Sequence, residues 1–189
     1  MGWFTMQGGA SHDSQAFYDK YGMDGRIPYT SDYVTIASGY GARTKQRWEP
    51  SMDVIDEAIG YYINADVETP THERKALEAM LGFLEAQFSA DLGIADRRSL
   101  DWRGGGDPTQ MDCVDEAWNA TVLLEFLHYH HRNLRWHSIL EPMWKQPLFK
   151  WLHYGAVLKS NTGYLWVIDG GVRRGGQPPK IFTSTNWYT

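Results

Sequence analysis

The chain holds a single cysteine, Cys113, in the stretch Gln110-Met111-Asp112-Cys113-Val114-Asp115-Glu116-Ala117. A lone Cys is most often a small buried hydrophobe, so a chemical reading needs a base and a group that orients the base. His153 and Asp169 supply those residue types downstream. A thiol attacks a carbonyl well as thiolate, and a Cys-His-Asp set is the combination that generates one next to an acyl group. Asp112 reads as a helix N-cap and Asp115, at N3, as its capping-box partner, so Cys113 should open a helix. There, first-turn N–H groups and the macrodipole favour a thiolate and can receive an oxyanion. The Cys113 amide is the first candidate oxyanion donor. Gln110 is a second, although an ordinary loop residue is the slightly preferred reading of it. Asp112, Asp115 and Glu116 act the other way: they raise the thiol pKa unless they are turned into caps or salt bridges, and the His153 imidazolium has to outweigh them.

His153 and Asp169 must share a face of whatever carries them. The segments 153–159 and 164–169 read as strands of a hairpin. A three-residue loop, Asn161-Thr162-Gly163, with Gly163 left-handed, pairs Ser160 with Tyr164 and so sets Gly155 opposite Asp169. In that register His153 and Asp169 are diagonal neighbours on one face, and the missing side chain of Gly155 leaves room for the imidazole. A four-residue loop would turn Asp169 to the other face.

These blocks, Gln-Met-Asp-Cys-Val-Asp-Glu-Ala, His-Tyr-Gly-Ala-Val-Leu and Tyr-Leu-Trp-Val-Ile-Asp, resemble the Cys, His and Asp blocks of the transglutaminase-like fold, in particular the bacterial transglutaminase-like cysteine proteinases. The resemblance covers about residues 100 to 185. It implies Cys113 as nucleophile, His153 as general base and acid, and Asp169 as the residue that holds the His tautomer. Relatives that bind calcium beside the cysteine carry acidic residues on both sides of it; Val114 departs from that pattern and argues against a calcium requirement. Hydrolysis of an amide or peptide bond through an acyl-enzyme is the leading expectation. Acyl transfer from protein glutamine to an amine, and a non-catalytic binding domain retaining the fold, are the alternatives.

The elements that must position these residues follow from periodicity. Helices are predicted from Ser51 to about Ala65, from about Thr71 to Leu92 with Gly93 as stop, and from Cys113 to His130, the last apolar on two sides and therefore central. A third strand is predicted over Ile181 to Thr185, after a loop from Val172 to Pro179. Helices followed by an antiparallel sheet make the fold class α+β. Residues 1–50 read as an irregular, aromatic-rich segment packed on a domain formed by 51–189, too aromatic for a disordered tail. Trp102 is a candidate cleft wall, though more readily a packed core residue. His128, His130 and His131 read as a helix end favourable to the dipole rather than a metal site; no metal or cofactor is expected.

A formal charge of −5 without a long basic block argues against a nucleic-acid partner. No run is apolar enough to span a bilayer, and the opening Met-Gly-Trp-Phe-Thr-Met lacks the pattern of a signal peptide. The compartment is left open: periplasmic if a signal has been removed, cytoplasmic otherwise. A protein or peptide substrate is the expected partner, and the oligomeric state is not readable.

Overall fold

The computed structural model describes residues 12–94, 106–131, 134–145, 152–173 and 176–188. It is a mixed helical and antiparallel structure, α+β as predicted. In chain order it runs α1 (His12–Lys20), β1 (Val34–Ser38), β2 (Thr44–Trp48), α2 (Met52–Ile63), α3 (Pro70–Leu92), α4 (Cys113–His131), β3 (His137–Lys145), β4 (His153–Ser160), β5 (Leu165–Asp169), β6 (Lys180–Thr183) and α5 (Ser184–Tyr188). β3 to β6 form a four-stranded meander in sequence order, and β1 and β2 form a separate hairpin.

Local chemistry accounts for the helix ends. Ser51 caps α2 by accepting from the Val54 amide at 3.3 Å. Thr69 caps α3 by accepting from His72 at 3.2 Å, with Pro70 in the first turn and Gly93 closing the helix at φ 68°. α4 is buried around most of its circumference, including Trp118, Val122, Leu124 and Phe126. It packs on β4 and on β1.

The described part of the N-terminal fifty residues is not irregular: it holds α1 and the β1–β2 hairpin. Phe17, Tyr18, Val34, Ile36, Ala37 and Trp48 belong to the same buried core as α4. An edge strand needs partners for its outward amides and carbonyls, and α4 supplies them to β1. The Asn119 side-chain amide accepts from Ala37 N at 2.8 Å and donates to Ala37 O at 2.9 Å, acting as a neighbouring strand would. Trp118 Nε1 donates to Thr35 O at 2.8 Å.

The stretch between α4 and β4, for which periodicity predicts no element, contains β3, with Pro142 inside it. Its pairing with β4 slips between Leu140 and Met143, so Pro142 falls at an irregularity where no ladder N–H is required. At the other end of β3 lies a buried polar cluster. Glu73 of α3 accepts from the amides of Arg135 at 2.5 Å and Trp136 at 2.9 Å, from the Tyr62 hydroxyl, and from His137 Nδ1 at 2.6 Å. Arg74, which only donates, lies 3.3 Å from His137 Nε2 and so fixes the ring proton on Nδ1, facing Glu73.

Among the described residues, no helix is long and apolar enough to cross a membrane.

Candidate active site

The hairpin that carries His153 and Asp169 has the expected turn. Ser160 N donates to Tyr164 O and Gly163 N to Ser160 O, each at 2.8 Å, and Gly163 adopts φ 90°. The pairs Ala156↔Ile168 and Val157↔Val167 continue to Gly155 opposite Asp169. His153 and Asp169 are joined, Nε2 to Oδ2, at 2.8 Å. A carboxylate oxygen can only accept, so the ring proton sits on Nε2 and Nδ1 is left as the basic nitrogen.

The space over Gly155 is used differently from the expectation. A Cβ there would lie 2.4 Å from Val167 Cγ1 and 3.4 Å from Trp187 Cζ2, so neighbouring side chains, not the imidazole, fill the gap. Trp187 of α5 was missed by the sequence reading. Its Nε1 donates to Asp169 Oδ2 at 2.8 Å, and its ring is tilted 33° to the imidazole with centroids 5.6 Å apart. Asp169 is thereby buried, 3% exposed, with one oxygen serving two donors. The only sequence signal for this role was a Trp near the chain end, whose N–H would need a partner if buried.

Cys113 opens α4 as predicted, and the capping box is reciprocal. Asp112 Oδ1 accepts from Val114 N at 3.0 Å and Asp115 N at 3.1 Å, while Asp115 Oδ2 accepts from Asp112 N at 3.0 Å. The Glu116 amide donates to the Asp112 carbonyl at 2.9 Å. Three first-turn amides are therefore committed to Asp112, which narrows the oxyanion candidates on the helix to the Cys113 amide. Gln110 turns its side-chain amide to the Thr109 carbonyl and hydroxyl, at 3.4 Å each, and its own carbonyl accepts from Gly39 N at 2.8 Å. Trp102 lies outside the described residues.

The same two carboxylates hold the β1–β2 loop. Tyr40 N and Ala42 N donate to Asp115 at 2.9 and 2.7 Å, and Gly41 N donates to Asp112 at 3.1 Å. The four residues Gly39, Tyr40, Gly41 and Ala42 all have positive φ, from 53° to 83°. Left-handed Tyr and Ala are uncommon, and four successive ones direct their amides at the helix start.

The thiol lies against the main chain on both sides of His153. It donates to Leu152 O at 3.5 Å and accepts from the Tyr154 amide, rather than bonding the imidazole. Burial pushes the Cys113 pKa up to about 12, with Asp112, Glu116 and Asp169 adding to the rise and the Tyr154 amide opposing it. Asp112 and Glu116 thus act in the direction anticipated for them, against the thiolate. The first-turn amides are already spent on Asp112, and three carboxylates surround the sulfur. Burial and Asp112 also raise Asp115, to about 8, against the pull of the amides that bond it.

On the far side of Tyr154, Lys20 of α1 donates to its hydroxyl at 2.6 Å, so the N-terminal segment reaches the wall of the site. At the other end of α4, His131 stacks edge-on with Tyr62 and His130 with Phe126. Among the described residues no group of three His, Cys, Asp or Glu side chains is placed to hold a metal ion.

No family model, curated protein or solved structure matches the chain.

Proposed function

We propose that the chain is a thiol hydrolase with a transglutaminase-like core, cleaving an amide or peptide bond through an acyl-enzyme on Cys113. One juxtaposition carries this reading. A thiol at the first turn of a central helix rests against the main chain of Leu152 and Tyr154, on either side of His153, and the Nε2 of that imidazole is bonded to a buried carboxylate.

In this mechanism the Cys113 side chain rotates from the Leu152 carbonyl toward His153 Nδ1. Catalytic hydrogen bonds often tighten in this way only when substrate binds. Sγ–H gives its proton to Nδ1 as the S–C bond forms, and the Cys113 amide receives the oxyanion. The C–N bond then breaks, and the imidazolium protonates the leaving amine. Water, deprotonated by His153, next attacks the thioester; the S–C bond breaks, the acid leaves, and the proton on Nδ1 returns to Sγ. With a thiol pKa near 12, the proton leaves during attack and not beforehand. Acyl transfer to an amine shares the first half and differs only in the acceptor.

The test separates ionisation from catalysis. Iodoacetamide should alkylate Cys113 slowly at neutral pH and faster toward the alkaline end. A peptide p-nitrophenyl ester should instead give a nitrophenol burst near neutral pH. His153→Ala is expected to slow that burst by about 100-fold or more, the usual contribution of a general base, while leaving the iodoacetamide profile in place. Equal bursts in the two proteins would sink the catalytic reading and favour a binding domain.

A further inference from the structure

Resting on the assignment of His153 as the base, we propose that Glu116 is a positioning residue of this site. Its carboxylate, held over Gly170 and Gly171, places a second negative charge beside the His153 ring and stabilises the imidazolium formed when the thiol gives up its proton.

The geometry converges on one glycine. A Cβ on Gly170 would lie 3.4 to 3.5 Å from the Glu116 Cβ, Cγ and Cδ atoms, so this side chain is laid along the turn that follows Asp169. A Cβ on Gly171 would lie 2.8 Å from Glu116 Oε2, 3.4 Å from His153 Cε1 and 3.5 Å from Asp169 Oδ1. Any side chain at 171 would displace the carboxylate; glycine lets it close on the ring. Glu116 stands one helical turn after Cys113, so α4 presents nucleophile and carboxylate on the same edge. Asp169 Oδ1, buried and without a hydrogen-bond partner, faces this same point.

Among the described residues, charged groups face the site from four elements. α4 contributes Cys113, Asp112 and Glu116, and β5 contributes Asp169. β3 contributes Lys145, the cross-strand partner of His153, whose ammonium bonds the Trp187 carbonyl and lies 4.5 Å from the Trp187 ring centroid. α1 contributes Lys20, on the Tyr154 hydroxyl. Glu116 and Asp169, two of the carboxylates that hold the proton on the sulfur, lie on the side of the ring that must take it.

The decisive measurement is the His153 titration, followed through its Cε1–H resonance in the whole chain. A carboxylate charge no farther than about 6 Å from the ring, at an effective dielectric of about 20, is worth about two pKa units. Glu116→Gln should therefore lower the His153 pKa by about two units. Gly171→Ala, which pushes the carboxylate off without removing it, should lower it in the same direction, and Glu116→Asp should restore part of the shift. A purely structural role for Glu116 would move the unfolding midpoint and leave the titration in place. A His153 pKa within about 0.2 units of the unmodified protein in both Glu116→Gln and Gly171→Ala would overturn the proposal. The ester burst reports separately on hydrolysis, so a shifted titration without a burst rejects the hydrolase and keeps the Glu116 assignment.

Discussion

Asp169→Asn is expected to leave the fold in place and slow acylation of Cys113 by about 10³ to 10⁴-fold, the scale seen when the orienting carboxylate of a Ser-His-Asp triad is made an amide. Asp169 Oδ2 accepts from both His153 Nε2 and Trp187 Nε1 at 2.8 Å. An asparagine oxygen can still accept from both, but it carries no charge to stabilise the imidazolium. Its NH₂ would occupy the position of Oδ1, which is buried and unpartnered. A rotated amide would put its NH₂ against Nε2, drive the ring proton to Nδ1 and remove the only nitrogen able to take the thiol proton. Burst rates in the two proteins, with urea unfolding as a control, decide the matter. A loss smaller than about ten-fold would remove Asp169 from the mechanism.

The second large effect is on stability and lies away from the thiol. Glu73→Ala is expected to destabilise the protein by about 3 to 5 kcal/mol, because four donors converge on a fully buried carboxylate and, of them, only the Arg135 amide keeps another acceptor, the Tyr62 hydroxyl. Glu73→Gln keeps one acceptor oxygen and should cost less. Burial alone would raise the Glu73 pKa, but hydrogen bonds from His137, Tyr62 and the Arg135 and Trp136 amides outweigh it and hold the group below its ordinary value. The sign follows: this stabilisation is complete above the unfolded carboxyl pKa of about 4.3 and is lost as pH falls through the lower folded value. Urea midpoints at neutral pH and near pH 3 test both statements. A midpoint change worth less than about 1 kcal/mol in Glu73→Ala would reject the cluster as a stabilising element.

What was legible in the sequence was local. Asp112 and Asp115 announced the start of α4 because a capping box is written in four consecutive residues. Asn161-Thr162-Gly163 announced the hairpin register because only a left-handed third position closes that loop, and the register brings His153 to Asp169. What escaped depended on partners remote in the chain. β1 reads as no strand by alternation, since its outer edge is completed by Trp118 and Asn119 of a helix. β3 was hidden by Pro142, absorbed at an irregularity in pairing. Trp187 reaches the site through α5, which carries no periodic signal, and the approach of Glu116 to His153 depends on the turn at Gly170 and Gly171. At the thiol, helix start and flanking carboxylates were legible as opposing influences but not their balance, because a helix start favours an anion only while its amides are uncommitted.

The clamped loop at residues 39–42 has a consequence for exchange with solvent. Glycine-rich turns between strands ordinarily open without disturbing the rest of a protein and lose their amide protons early. Here the amides of Gly39, Tyr40, Gly41 and Ala42 all donate to Gln110, Asp112 or Asp115. Freeing them would strip the buried Asp115 and the half-buried Asp112 of donors at the very start of α4. In deuterated buffer these four amides should exchange as slowly as those in the middle of the central helix. Rapid exchange there would mean that the helix start can let go of the loop while the core stays closed.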